Sequence, residues 1–194
     1  HKPGMIPSGQ RLERIYMELF RTIQRHIKII KSISIKMTFS KEEIIARYQS
    51  DSIDILSMKI VTEGFEEQIN YSIDMDPLPQ EMILSLPEYS TYVLSFKAIV
   101  KKDLKDVHYY QAVTKAGITV NKRRVDLGDF TKSVDENDVK DIVLESHQLP
   151  GGMFVRGTHP AHSYFAGPDD VPIISFEWRI EISKRGQAVP HIKV

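Results

Sequence analysis

Two rhythms of apolar residues run along this chain. Between Gln10 and Lys31, Leu12, Ile15, Tyr16, Leu19, Ile23, Ile27 and Ile30 recur at steps of three and four, and Arg11, Arg14, Arg21, Arg25 and Lys28 fill most other positions. That spacing predicts an amphipathic helix. Ser40-Lys41-Glu42-Glu43 reads as a capping box, because the Ser40 hydroxyl and the Glu43 carboxylate can each satisfy a first-turn amide, and a short helix to about Gln49 should follow. Between the two, Ile33, Ile35, Met37 and Phe39 alternate with polar residues, as a strand or an extended linker would.

From Ile53 onward the period drops to two. The runs are Leu56, Met58, Ile60; Ile69, Tyr71, Ile73, Met75; Met82, Leu84, Leu86; Tyr92, Leu94, Phe96, Ala98, Val100; Tyr109, Gln111, Val113; Ile118, Val120; and Phe176, Trp178, Ile180, Ile182. Gly64, Pro77, Pro79, Pro87, Gly117, Pro150-Gly151-Gly152, Gly167-Pro168 and Pro172 punctuate them. Short alternating runs between turn residues predict an antiparallel β-sandwich, preceded by a helical arm. The division expected is an arm over residues 1–50 and a sandwich over 51–194. Periodicity leaves open whether the sheets close on each other or splay around a ligand, and whether the first helix is a lid or binds a partner.

Composition narrows the function. The 194 residues carry 26 Lys+Arg and 26 Asp+Glu, without the basic excess that nucleic-acid binding needs. With no cysteine, disulfides, thiolate metal sites and a cysteine nucleophile are excluded. No run reaches the roughly 18 apolar residues of a membrane span, and no secretory signal is visible. The chain opens His1-Lys2-Pro3-Gly4, and a native start near Met5 is expected. His159 and His162, with Asp169 and Asp170 downstream, invite a metal reading. Pro160 breaks any helix there, and strand positions three apart face opposite ways, so solvated loop histidines are the plainer reading. No Gly-x-Ser-x-Gly elbow is present, and the adjacent carboxylates Glu42-Glu43, Glu66-Glu67 and Asp169-Asp170 diverge on a strand. No catalytic residue, metal or cofactor is assigned.

The stretch Gly152-Met153-Phe154-Val155-Arg156-Gly157-Thr158, followed by Ser163-Tyr164-Phe165, Asp169-Asp170 and Ser175-Phe176-Glu177-Trp178, resembles the C-terminal part of the Rho GDP-dissociation inhibitors. That family carries a G-M-x-x-R-G-[ST] segment, an S-x-F, an acidic run and an S-W-E-W strand at the same spacing. Leu94-Ser95-Phe96-Lys97 resembles its I-S-F-R strand, and Met58-Lys59-Ile60-Val61 its first core strand. Tyr109, Gln111, Lys115, Gly117, Ile118, Val120, Lys122 and Gly128 fall on a further segment, so the likeness runs from about Ile55 to Ser183.

The resemblance implies an immunoglobulin-like sandwich. It also implies a cytoplasmic regulator that holds a GDP-bound, geranylgeranylated Rho-family GTPase, slows nucleotide release, and shelters the isoprenyl tail between its sheets. Ile60, Met82, Phe96, Leu104, Ala161, Phe176 and Trp178 fall at or beside the family's tail-lining positions, and Tyr89 or Tyr92 supplies the cavity tyrosine, with Tyr92 preferred. Asp169 and Asp170 match part of the acidic run that meets the basic residues before the prenylated cysteine. Tyr16, Leu19 and Phe20 are the candidates for contact with the GTPase switch loops. Two departures stand out: Gly167-Pro168 shortens the acidic run, and Phe176 replaces the first strand tryptophan. A general prenyl-tail carrier without nucleotide selectivity, and a scaffolding sandwich without a cavity, are the alternatives.

Overall fold

The computed structural model describes residues 15–26 and 38–193. They divide into two units, 1–38 and 39–194. In the first, residues 15–26 form helix α1, exposed along its length. Tyr16, Leu19, Phe20 and Ile23 make an apolar stripe on it, open to solvent. Thr22 Oγ1 donates to the Glu18 carbonyl at 2.9 Å. The expected flanks of this helix, with Leu12, Ile27 and Ile30, lie outside the described residues, as does the stretch from Ile33 to Met37.

The second unit begins one residue before the cap of α2 (Lys41–Ala46), so this helix, expected in the arm, packs with the sandwich through buried Ile44. Its capping box is complete: Ser40 Oγ accepts from the Glu43 amide at 3.1 Å, and Glu43 Oε2 accepts from the Ser40 amide at 3.2 Å. The helix stops at Ala46 rather than reaching Gln49, which instead bridges to Asp54.

Eleven strands follow: β1 (Ile53–Thr62), β2 (Gln68–Ser72), β3 (Ile83–Pro87), β4 (Thr91–Val100), β5 (Leu104–Lys115), β6 (Ile118–Phe130), β7 (Lys140–Val143), β8 (His147–Gln148), β9 (Gly157–Ala166), β10 (Pro172–Ser183) and β11 (His191–Lys193). One sheet has the order β2-β1-β4-β7, with β8 also paired to β4; the other is β11-β3-β10-β9-β5-β6. The core lies between the layers, with Ile60, Leu94, Phe96 and Ala98 from the first meeting Tyr109, Val113, Phe165, Ile180 and Ile182 from the second.

Three features differ from expectation. The sandwich is not wholly antiparallel: β3 runs parallel to β10, Leu84 beside Ile180 and Leu86 beside Ile182. After β2 the chain crosses to the other layer and enters it alongside β10 instead of folding back on its predecessor. In β1 the pairing slips between Ile55 and Ser57, so Ile55 and Met58 are both buried and Leu56 is only half-buried. Finally, the histidine segment is a strand, not a loop. In β9, His159, Ala161, Ser163 and Phe165 point inward and His162 and Tyr164 outward. Polar side chains at two inward positions hid this alternation. His159 is buried with Nε2 2.6 Å from the Val155 carbonyl, and His162 pairs with Glu177 on the outer surface at 2.6 Å. The two rings therefore face opposite sides of the sheet.

Candidate functional site

Between the layers lies a slot whose walls are mainly apolar. Ile55, Met58, Ile60, Leu94 and Phe96 form one wall, and Met82, Leu84, Leu86, Phe176 and Trp178 the other. The period-two pattern explains the walls, since alternate residues of stacked strands must face each other. The cavity enclosed between the walls is about 40 Å³, within a crevice of about 650 Å³ that is partly continuous with solvent. The walls are thus nearly in contact, with aromatic rings interleaved along them. Phe96 stacks on Phe176 with centroids 6.4 Å apart, meets Phe165 edge-on at 5.3 Å, and lies 5.9 Å from Tyr109.

The mouth is closed by a residue outside the alternating pattern. The Tyr48 ring, just past α2, lies 5.5 Å from that of Tyr71 and 5.6 Å from that of Phe176. Burial pushes its phenol pKa up. The segment carrying it is strapped down. Gln80 accepts from the Phe39 amide at 2.6 Å and donates to the Phe39 carbonyl at 2.9 Å, while the Arg47 guanidinium sits over the Phe39 ring at 4.3 Å. Arg47 Nη1 also donates to the Gln80 carbonyl at 3.3 Å. Leu56, Ile73, Met82 and Phe176 around this mouth are half-buried.

The deep side of the slot is polar. Trp178 Nε1 donates to Ser163 Oγ at 2.9 Å, and the Tyr109 hydroxyl lies 2.8 Å from Ser163 Oγ and 2.9 Å from Gln111 Oε1. Gln111 Nε2 donates to the Tyr92 hydroxyl at 3.1 Å. Gln111 is fully buried in β5, and Tyr92 belongs to β4 in the opposite layer. Burial raises the Tyr109 phenol, keeping it a neutral donor.

Of the expected tail-lining residues, Ile60, Met82, Tyr92, Phe96, Phe176 and Trp178 come together in this slot. Tyr89 does not. It is exposed in the β3–β4 turn, its ring against Gly151, so Tyr92 is the tyrosine the structure brings inside. Leu104 opens β5 at the end of the sandwich and lines a different groove with Asp51, Lys102, Lys105 and Asp169. Ala161 is buried directly opposite Trp178 in the β9–β10 register, and its methyl does not reach the slot. Asp169 and Asp170 also part company. Asp169 faces the end groove, whereas Asp170, at φ 56°, turns its carboxylate onto the outer face, with Oδ1 2.7 Å from Nε2 of buried His108. Tyr48 was not foreseen, and only its aromatic character beside Ser50-Asp51 could have drawn notice. The Gln111 and Ser163 signal was present: a polar residue at an inward position of an otherwise apolar row.

A family model described as RHO protein GDP dissociation inhibitor matches residues 34–185. A probable rho GDP-dissociation inhibitor of Caenorhabditis elegans is 25% identical over 136 residues, covering 66% of this chain and 70% of that protein. The Rho GDP-dissociation inhibitor of Saccharomyces cerevisiae is 28% identical over 101 residues, 52% of this chain and 50% of the relative. Rho GDP-dissociation inhibitor 1 of Arabidopsis thaliana is 27% identical over 138 residues, 71% and 56%. The chain thus spans about half the length of the last two. Among solved structures it is similar to a Niemann-Pick type C2 protein from Japanese carpenter ant, at 12% identity and TM-score 0.45, covering 70% of this chain and 96% of that one. The match covers most of the sandwich, including the Gly152–Thr158 motif and the Phe176-Glu177-Trp178 strand on which the resemblance was drawn. The chain belongs to the Rho GDP-dissociation inhibitor family.

Proposed function

We propose that this chain is a cytoplasmic, non-catalytic regulator that binds a GDP-bound, prenylated Rho-family GTPase, slows its nucleotide release and withdraws it from membranes by seating the isoprenyl tail in the slot. The sandwich on this reading is immunoglobulin-like and preceded by a helical regulatory arm. The observation that carries it is the slot itself, an apolar crevice between two sheets whose mouth is rimmed by half-buried side chains. Ile60, Met82, Phe96, Phe176 and Trp178 are its tail-binding residues, with Tyr92 at its deep side. Ala161 backs this wall beside Trp178, and Leu104 stands apart from it at the end groove.

The closed slot is too narrow for an isoprenoid, so binding requires the walls to part and Tyr48 to swing out. Burial of such a chain is worth about 0.8 kcal/mol per methylene relative to water. A bilayer offers nearly the same gain, so slot burial alone does not withdraw a protein from a membrane. Net withdrawal needs contacts outside the slot, joined to it by a short tail at high effective concentration. Tyr16, Leu19 and Phe20 on α1 and Asp169 beside the end groove are assigned that role. Asp170 contributes less, because His108 already holds its carboxylate.

The test is co-purification with a Rho-family GTPase in four forms, prenylated or not and loaded with GDP or GTP. Retention should be greatest for the prenylated GDP form. Trp178→Asp should abolish the dependence on prenylation, because a charge in an apolar slot is costly. Retention that ignores prenylation in the unaltered protein would overturn the reading, and retention that ignores the nucleotide would reduce it to tail carriage.

A further inference from the structure

The hydrogen-bonded line at the deep side of the slot reaches across the sandwich. Trp178 in β10, Ser163 in β9, and Tyr109 and Gln111 in β5 belong to one layer, and Tyr92 in β4 to the other. With Tyr109 donating its single proton to Gln111 and accepting from Ser163, every link is satisfied from Trp178 through to Tyr92. The line continues to the sandwich edge, where the His147 ring meets Tyr92 edge-on at 5.8 Å and its Nε2 lies 2.9 Å from Asn121 Oδ1 of β6, a second bond between the layers.

The two sides of this seam are held differently. Towards the mouth, Met58, Ile60, Phe96 and Phe176 meet through apolar contact alone, which can be exchanged for contact with a hydrocarbon chain at little cost. At the seam the layers are tied by directional bonds between buried groups. A chain that pushed past it would leave Gln111 and the Tyr92 hydroxyl unpartnered, a loss of about tenfold or more in affinity.

From this difference we infer that Gln111 and Tyr92 are a length gauge: they fix the depth at which the sheets stop separating, and so the longest isoprenoid the slot accommodates. The inference rests on the tail-binding reading and adds to it the residues that select among tails. Phe176 and Trp178 grip the tail, and the Gln111–Tyr92 bond sets where it ends.

The experiment measures Kd of the full chain for geranyl-, farnesyl-, geranylgeranyl- and geranylfarnesyl-cysteine by competition against a fluorescent farnesyl-cysteine. Affinity should rise with each isoprene unit and then level off where the chain meets the seam. Gln111→Met keeps the side-chain length and removes the amide; Tyr92→Phe opens the same bond from the other layer and keeps the ring. In either variant the levelling-off should move one isoprene unit longer, with affinity for that longer probe gaining at least tenfold relative to the next shorter one. Folding is checked by circular dichroism, and either variant suffices if the other is unfolded. Length profiles of the same shape in folded variants and unaltered protein, including a uniform loss at all lengths, overturn the gauge and leave tail binding standing. If no prenyl-cysteine binds the unaltered protein, the tail-binding reading falls and the gauge with it.

Discussion

Glu88 and Arg156 form a two-pronged ion pair, with Oε1 2.8 Å from Nη2 and Oε2 2.9 Å from Nε. Glu88 sits in the β3–β4 turn, and Arg156 is the arginine of the Gly152–Thr158 motif. The same carboxylate accepts from the Gly152 amide at 2.8 Å and the Arg185 amide at 3.2 Å. One buried side chain thus ties the motif loop, the turn that carries the chain from one layer to the other, and the segment after β10. The bonds from Arg156, then Gly152, hold its pKa at about 2 instead of the ordinary 4.5. A depressed carboxylate stabilises the fold above its ordinary pKa, and that contribution drains away as pH falls from 4.5 through about 2. Glu88→Gln should lower Tm by several degrees at neutral pH and flatten this part of the acid-denaturation profile. An unchanged Tm would show the pair to be dispensable.

His147 governs a different window. Burial first, then the Arg123 charge, lowers its pKa from 6.5 to about 4, so the folded protein holds it neutral where the unfolded chain protonates it. Stability is undiminished above pH 6.5 and declines as pH falls from 6.5 to about 4. His147→Gln, which retains a donor for Asn121, should remove the slope in that window only. Urea midpoints at closely spaced pH values measure it, and a slope that survives in the variant assigns the effect to other groups.

Tyr48 lies across the mouth, its ring in contact with those of Tyr71 and Phe176. Tyr48→Ala should cost about 1–2 kcal/mol of stability, less than a fully buried aromatic would. It should also speed association of farnesyl-cysteine and make Trp178, the chain's single tryptophan, easier to quench with acrylamide. Unaltered quenching and association would mean the ring is no barrier.

The stripe on α1 separates the two parts of the proposed function. Changing Tyr16, Leu19 and Phe20 together to Ser should leave farnesyl-cysteine affinity and the sandwich Tm as they are, since all three are exposed. Inhibition of GDP release from a prenylated Rho-family GTPase should fall at least tenfold. Full inhibition by the variant would move the switch-loop contact elsewhere.

Much of the slot was legible in the sequence because one rule writes it. In Phe176-Glu177-Trp178, as in Leu94-Ser95-Phe96, alternate side chains must face the same way, so the apolar row marks its own wall. The rule breaks where an inward residue is polar, as at His159 and Ser163, which concealed β9. It also breaks at a bulge, as at Leu56. It says nothing of Tyr48, which lies outside any strand and acquires its role only by landing on Phe176.

The chain's own order of apolar and polar residues determined which side chains turn inward, because a strand's geometry repeats every two residues whatever it packs against. Which inward rows confront each other was settled only when the layers stacked. Strand pairing within one layer put β3 beside β10, and the stacking of the two layers brought Gln111 within 3.1 Å of Tyr92 and left the walls almost touching. A local period carries no information about distance between elements far apart in the chain; packing supplies it.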